Sequence, residues 1–318
     1  MVEAIARTRE TLRLTGEVPL PGAGSTLKRW MLLADVCRTD LGVGRLVEGH
    51  LDAVAILDDL DGSDRLRAGS LAAVWAARPN DLAARRTRTG WVLDGEKPFC
   101  SGAGAVDLAL VTAMSPAGPL LLAIDAEERS CDIEGKSWDP LGMGPTGSTT
   151  VRFTEVEVPR SAALGGPGAY VNRPGFWHGG CGVAACWWGG ATALLDDVRT
   201  QLATRTDDAI AMAVFARAAL AVGVARCELV DAATAIDEAP RDLDGARRYA
   251  QRTRFAAAEG ARVVIDLALR HLGTSVLGVD RLVHGRLTDL ATYVTQYKDS
   301  DAADLGRALV TESRGVKA

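Results

Sequence analysis

Two stretches decide the fold: GWVLDGEKPFCSGAGAVDLALVTA at 90–113 and LGMGPTGSTTVRFTEVEVPRSAALG at 141–165. The first carries two short apolar runs around a glycine-rich turn. In the second, VRFTEVEV (151–158) alternates apolar and polar residues, which predicts a strand with one buried face. Between and before them, PLLLAID (119–125) and LAAVWAA (71–77) are further short apolar runs. Turn residues such as Asp94-Gly95, Pro116-Ala117-Gly118 and Gly142–Gly147 separate the runs, so residues from about 70 to 160 are predicted to form a small antiparallel β domain.

Outward from this core the texture becomes helical on both sides. MVEAIARTRETLRL (1–14) has the spacing of a polar amphipathic helix. Residues 26–56 place apolar side chains at helical intervals before the acidic break DDLDGSD (58–64). After Pro174, long helices are predicted over roughly 176–202, 207–237, 243–272 and 284–298, with a shorter one near 301–312. Asp207-Asp208 and Asp242 stand where carboxylates cap free amides, and Gly273 is a suitable stop. The expected class is α+β, because strands and helices are segregated along the chain. The expected division is an N-terminal helical domain at 1–66, a β domain at 67–165 and an up-down helical bundle at 166–318.

Composition narrows the function classes. A net charge of −5 over 318 residues gives no basic footprint for nucleic acid. No apolar run reaches the ~18–20 residues of a membrane span, and the N-terminus lacks the apolar centre of a signal peptide, so a cytoplasmic protein without a membrane partner is expected. The cysteines at 37, 100, 131, 181, 186 and 227 are scattered, which favours buried thiols over a disulfide framework. With four histidines and no HxxxH or HxH spacing, no metal site is expected. No GxGxxG turn links a strand to a helix, so a Rossmann site is unsupported.

The order of helices, β domain and bundle resembles that of the acyl-CoA dehydrogenase superfamily, and so do the two stretches quoted above. GVAACWWGGA (182–191) resembles the first long bundle helix, and RHLGTSVLGVDRLVHGRLTDLATY (270–293) the junction of the last two. The helical region before the sheet, about 65 residues, is shorter than the family's N-terminal domain. The resemblance implies FAD, with Phe99 and Ser101 beside the isoalloxazine, and an acyl thioester or related small molecule as substrate. It also implies a homodimer or homotetramer, alone or with a paralogous subunit. Arg270, in place of a family glutamine, and Gly273 fall where the family binds pyrophosphate; Arg199 or Arg205 is a substitute phosphate partner.

The family removes an α-proton with a glutamate at one of two positions. Neither position holds one here. Asp299 follows the last tyrosines, displaced from the usual site. At the other position GFWHGGCGV (175–183) offers His178, a residue suited to proton transfer near neutral pH. His50, in the run Arg45–Asp52, is the other proton-handling candidate. That run also reads as a solvated face of ion pairs between Arg45, Glu48 and Asp52. Alongside the altered dehydrogenase stand two alternatives. One is a flavin-poor, non-catalytic partner subunit or scaffold; the other is a non-redox isomerase or eliminase on the same fold.

Overall fold

In a computed structural model, residues 1–126, 131–133 and 141–315 are described. They form two compact units. One contains Met1–Val18, Arg45–Pro140 and Gly144–Phe176; the other contains Pro19–Gly44, Leu141–Met143 and Trp177–Ala318.

The first unit is built on an eight-stranded sheet. Its strands are β1 (Ala72–Trp75), β2 (Leu82–Arg86), β3 (Gly90–Cys100), β4 (Leu108–Ser115), β5 (Gly118–Asp125), β6 (Cys131–Ile133), β7 (Thr149–Pro159) and β8 (Ala163–Leu164). They run in the order β6-β7-β3-β2-β4-β5-β8, with β1 on β4. The sheet is mixed, whereas an antiparallel one was expected: β1 lies parallel to β4 along Ala72–Trp75, and β2 is parallel to it at Ala83. The whole β2–β3 hairpin intervenes between β1 and β4, a connection long enough for a parallel pairing. Strand β4 reads as an unbroken apolar run because both of its faces are covered. Ala109, Val111 and Ala113 join one core with Leu93 and Phe153, against which Ile5 and Leu12 of α1 (Val2–Thr15) pack. Leu108 and Leu110 join the other, with Ala53, Ile56 and Leu57 of α3 (Leu41–Asp59).

The second unit is helical: α2 (Thr26–Thr39), α4 (Pro174–Leu202, here from Trp177), α5 (Ala209–Glu238), α6 (Leu243–His271), α7 (Gly273–Leu277), α8 (Arg281–Tyr293) and α9 (Asp299–Gly315). The segment 26–56 is two helices. Asp40 has extended backbone and its Oδ1 accepts from the Val43 amide at 2.9 Å, ending α2 and capping α3. Asp208 and Asp242 cap α5 and α6 by accepting from Ala211 and Gly245, each at 3.0 Å. Helix α5 corrects one sequence expectation: it is long and apolar enough, by length and composition, to cross a membrane. It packs along α6 and α2.

Four thiols, Cys37, Cys100, Cys181 and Cys186, are buried, but Cys227 on α5 is exposed; Cys131 lies outside the residues whose side chains are described.

Candidate functional site

The alternation of β7 slips by one residue: Val151 and Phe153 point inward, then Val156 and Val158. A strand cannot change phase without a bulge. Leu93 pairs with Val156 and Gly95 with Phe153, so the extra residue falls at Thr154–Glu155, and Glu155 takes φ 50. A second bulge lies on β3 itself. Lys97 pairs with Val151 and Cys100 with Thr149, so Pro98 and Phe99 face a single residue, and Phe99 takes φ 61. Regular alternation would turn Phe99 inward beside Lys97. The bulge instead leaves Cys100 buried and holds the Phe99 ring 50% exposed.

An exposed aromatic in a left-handed conformation costs energy twice over, by solvation and by backbone strain, and the surrounding structure has to hold it. Two features do so. Lys97 is fully buried, and its Nζ donates to the Ala77 carbonyl at 2.6 Å, to the Arg78 carbonyl at 3.3 Å and to Thr112 Oγ1 at 2.9 Å. Burial lowers the amine's pKa from 10.5 to about 8. Arg78, itself at φ 46, places its guanidinium 5.7 Å from the centre of the Phe99 ring.

Beyond Cys100 the chain turns into a narrow cleft with a free volume of about 10 Å³, room for about one water molecule. It is lined by Arg45, Gly49, Ala72, Val74, Ser101 and Val106 among others. Ser101 Oγ shares a hydrogen bond of 2.9 Å with Ser148 Oγ, which in turn shares one with Thr146 Oγ1. The Ser101 carbonyl accepts from Trp75 Nε1 at 3.1 Å. On the other wall α3 contributes Arg45, paired with Glu48. Glu48 is buried, so this pair belongs to the interior and not to the solvated face that the spacing suggested. His50 Nδ1 accepts from the amide of Ala72, a cleft residue, at 3.1 Å. An accepting Nδ1 carries no proton, so the neutral ring holds its proton on Nε2. Close by, burial and the carboxylates of Asp52 and Glu48 raise the pKa of the Tyr170 phenol, partly offset by Arg173 and Arg45.

Ser101 therefore lines this cleft of the sheet unit, with Phe99 two residues before it, while His50 reaches it only through the backbone of Ala72. His178, Asp299, Arg270 and Gly273 belong to the bundle unit. His178 is buried in the first turns of α4. Asp299 is exposed and opens α9. Arg270 is exposed and donates from Nε to Asp266 at 2.8 Å. Gly273 has φ 68 and starts α7. Arg199 and Arg205, the substitute phosphate partners, form ion pairs with Asp196 and Asp208. Sequence reasoning passed over Lys97 and Tyr170. The signal for Lys97 was a lysine at an inward position of a strand; Tyr170 left none.

No protein-family model matches this sequence. A stretch of 87 residues, 26% of the chain, is 36% identical to dibenzothiophene monooxygenases of Rhodococcus erythropolis and Rhodococcus qingshengii. The match spans about a fifth (21%) of the length of those curated relatives. Among solved structures, the dibenzothiophene monooxygenase TdsC from Paenibacillus sp. A11-2 superposes with a TM-score of 0.77 at 19% identity, over 91% of this chain and 84% of that one. Butyryl-CoA dehydrogenase from Megasphaera elsdenii superposes with a TM-score of 0.78 at 19% identity, over 90% of this chain and 82% of that one. The chain has the acyl-CoA dehydrogenase fold. TdsC has been solved with FMN and with FMN plus indole.

Proposed function

We propose that this chain is a flavin-dependent oxidoreductase of the acyl-CoA dehydrogenase type acting on a small molecule, with the flavin ring lying against Phe99. The observation that carries this is Phe99 itself, an aromatic residue half exposed to solvent by a bulge, in a strained conformation, two residues before the hydroxyl of Ser101. A planar, electron-poor ring system fits such a platform: the aromatic face offers stacking and Ser101 a hydrogen-bonding edge. FAD is the flavin we assign, with FMN the alternative.

When bound, the flavin supplies the redox chemistry. The chain's own residues orient and exclude water. Ser101 is held by Ser148 and by the Trp75 bond to its carbonyl, so its hydroxyl has a fixed position in the cleft. Arg45, neutralised by Glu48, brings donors to the opposite wall without net charge. His50 holds a proton at Nε2 and is our first choice of proton-handling residue; His178 and Asp299 are the others. Two reactions are named among the proteins of similar fold, dehydrogenation and monooxygenation. Monooxygenation of a small aromatic or sulfur-containing molecule suits this chain better. Abstraction of an α-proton from a thioester needs a base in a shielded site, and Asp299, the carboxylate nearest one of the two positions the family uses, stands exposed at the start of a helix. The dibenzothiophene monooxygenases that share the 87-residue stretch support the same choice. We further place the protein in the cytoplasm as a homo-oligomer.

Purified protein loaded with flavin and dialysed should keep the visible flavin bands, and mass spectrometry of the released cofactor identifies FAD or FMN. Failure of Phe99→Ala to weaken flavin binding would sink the assignment of Phe99. Failure of the natural protein to bind either flavin would favour the non-catalytic subunit. With reduced flavin and oxygen, indole or dibenzothiophene consumed with oxygen incorporation supports the monooxygenase. Anaerobic bleaching by butyryl-CoA would favour the dehydrogenase instead.

A further inference from the structure

Lys97 is completely buried on β3, and its ammonium reaches the backbone that follows β1. Its three acceptors are the Ala77 carbonyl at 2.6 Å, Thr112 Oγ1 of β4 at 2.9 Å and the Arg78 carbonyl at 3.3 Å. Thr112 gives its own hydrogen to the Ala76 carbonyl at 3.1 Å, so toward Lys97 it can only accept. An ammonium has three N–H groups, one for each of these acceptors, whereas a neutral amine has two. The contacts close a ring. Lys97 holds the Arg78 carbonyl, Arg78 at φ 46 sets its guanidinium 5.7 Å from the centre of the Phe99 ring, and Phe99 at φ 61 returns through Pro98 to Lys97. Two strained residues thus face each other, and one buried cation is tied to both.

We propose that Lys97 is a positioning residue for the flavin: its ammonium clamps the Ala77–Arg78 backbone to Thr112, which fixes the Arg78 guanidinium over Phe99 and holds that ring where the isoalloxazine stacks. The inference rests on the flavin reading above and adds to it a proton on which the platform depends. Loss of that proton leaves two N–H groups for three acceptors, and the longest bond, to the Arg78 carbonyl, is released first. The ring is then held less firmly, so flavin affinity falls as Lys97 titrates. Burial brings that titration down to about 8. The charged and titratable groups facing the amine are Arg78 and Asp81, after β1, and the Cys100 thiol of β3; β4 presents Thr112, which does not titrate. Asp81 and Cys100 favour the charged amine without outweighing its burial.

The test labels the full chain with 4-fluorophenylalanine, a reporter at each of its five phenylalanines; loss of a signal in Phe99→Leu assigns the Phe99 resonance. In fluorine NMR without flavin, from pH 7 to pH 9.5, that resonance should move with a midpoint near 8. Over the same range, fluorescence titration with FAD or FMN should show affinity falling by a few-fold. In Lys97→Met the resonance should stand still, and flavin affinity should be a few-fold lower and level with pH. Arg78→Ala changes an exposed side chain and so tests the same link without touching the core. It should weaken flavin binding by a few-fold and abolish the response of the Phe99 resonance to pH. A Phe99 resonance that is unmoved in the natural chain, or that moves equally in either variant, would overturn the proposal. So would a Lys97→Met chain that binds flavin as tightly as the natural one at pH 7. A natural chain that binds no flavin at pH 7 removes the flavin reading, and the clamp on Phe99 is then decided by the resonance alone.

Discussion

Both units use glycine at close approaches, Gly90 and Gly95 in the sheet unit and Gly189 and Gly260 in the helical one. Among the described residues, however, the sheet unit holds four of the five non-glycine left-handed backbones, Met143 being the one in the helical unit. In the sheet unit, non-glycine residues carry the strain: Asp61, Arg78, Phe99 and Glu155 all have left-handed backbones. Two of these, Arg78 and Phe99, stack on each other. In the helical unit, close approaches fall on glycine. A Cβ added to Gly189 of α4 would land on the Ala34 carbonyl of α2, and one at Gly260 of α6 would lie 3.3 Å from the Ala221 carbonyl of α5. Glycine at a crossing is a packing device and requires no ligand to explain it. A bulky residue kept in a glycine-like conformation is different, because a less strained residue could stand there. The contrast teaches where to look for function: substitutions at the bundle's tight contacts should change stability alone, and substitutions at the sheet's strained residues should change ligand binding first.

The largest expected effect tests the first half of that contrast. Gly189→Val forces α2 and α4 apart at a backbone contact that has no flexible side chain to yield. It should destabilise the protein by about 3 kcal/mol or more, seen as a lower midpoint in chemical denaturation. If Gly189→Val is tolerated at less than ~1 kcal/mol, the helices do not meet as described.

Lys97 is the next test, because it anchors the strained side of the contrast. Lys97→Met leaves the Ala77 and Arg78 carbonyls without their buried donor and should cost about 2 kcal/mol at neutral pH. The pH dependence has a definite sign. The folded amine releases its proton near pH 8 and the unfolded one near its ordinary 10.5, so between these values the unfolded chain binds more protons. Stability contributed by Lys97 should therefore rise with pH across that window. The gap between the natural protein and Lys97→Met, measured by urea denaturation from pH 7 to pH 10.5, should widen. A constant gap would mean that the buried amine titrates as it does in water.

Much of the architecture was legible because it rests on patterns of single residues. The helix–sheet–helix order followed from periodicity, and the starts of α5 and α6 from Asp208 and Asp242. The mixed sheet was not legible. Whether β1 runs parallel or antiparallel to β4 depends on the path of the connection, which the apolar run LAAVWAA (71–77) does not encode. The site was legible in part. Phe99 and Ser101 were singled out by resemblance, but the reason Phe99 faces outward is a register difference between β3 and β7, a property of two strands together. The Arg45–Glu48 spacing was read correctly as a pair, yet its burial depends on what packs over α3, which no local pattern encodes.

The smaller effects address the second half of the contrast. Phe99→Gly removes the ring and relieves the φ 61 backbone. Stability should therefore stay level or rise by up to ~1 kcal/mol, while flavin affinity, measured by fluorescence titration, should fall at least about tenfold, the loss of one stacked aromatic. A stability loss of the size expected for Gly189→Val would show that Phe99 is packing and not platform. Ser101→Ala is gentler still. It removes a hydroxyl whose partner, Ser148, keeps a second bond to Thr146, so no buried group is left alone and the cost to folding should be under ~1 kcal/mol. If the Ser101 hydroxyl also meets the flavin edge, affinity should drop by a few-fold, less than for Phe99→Gly. A Ser101→Ala protein that loses stability but keeps its flavin affinity would confine Ser101 to the turn, and the binding role would then rest on Phe99 alone.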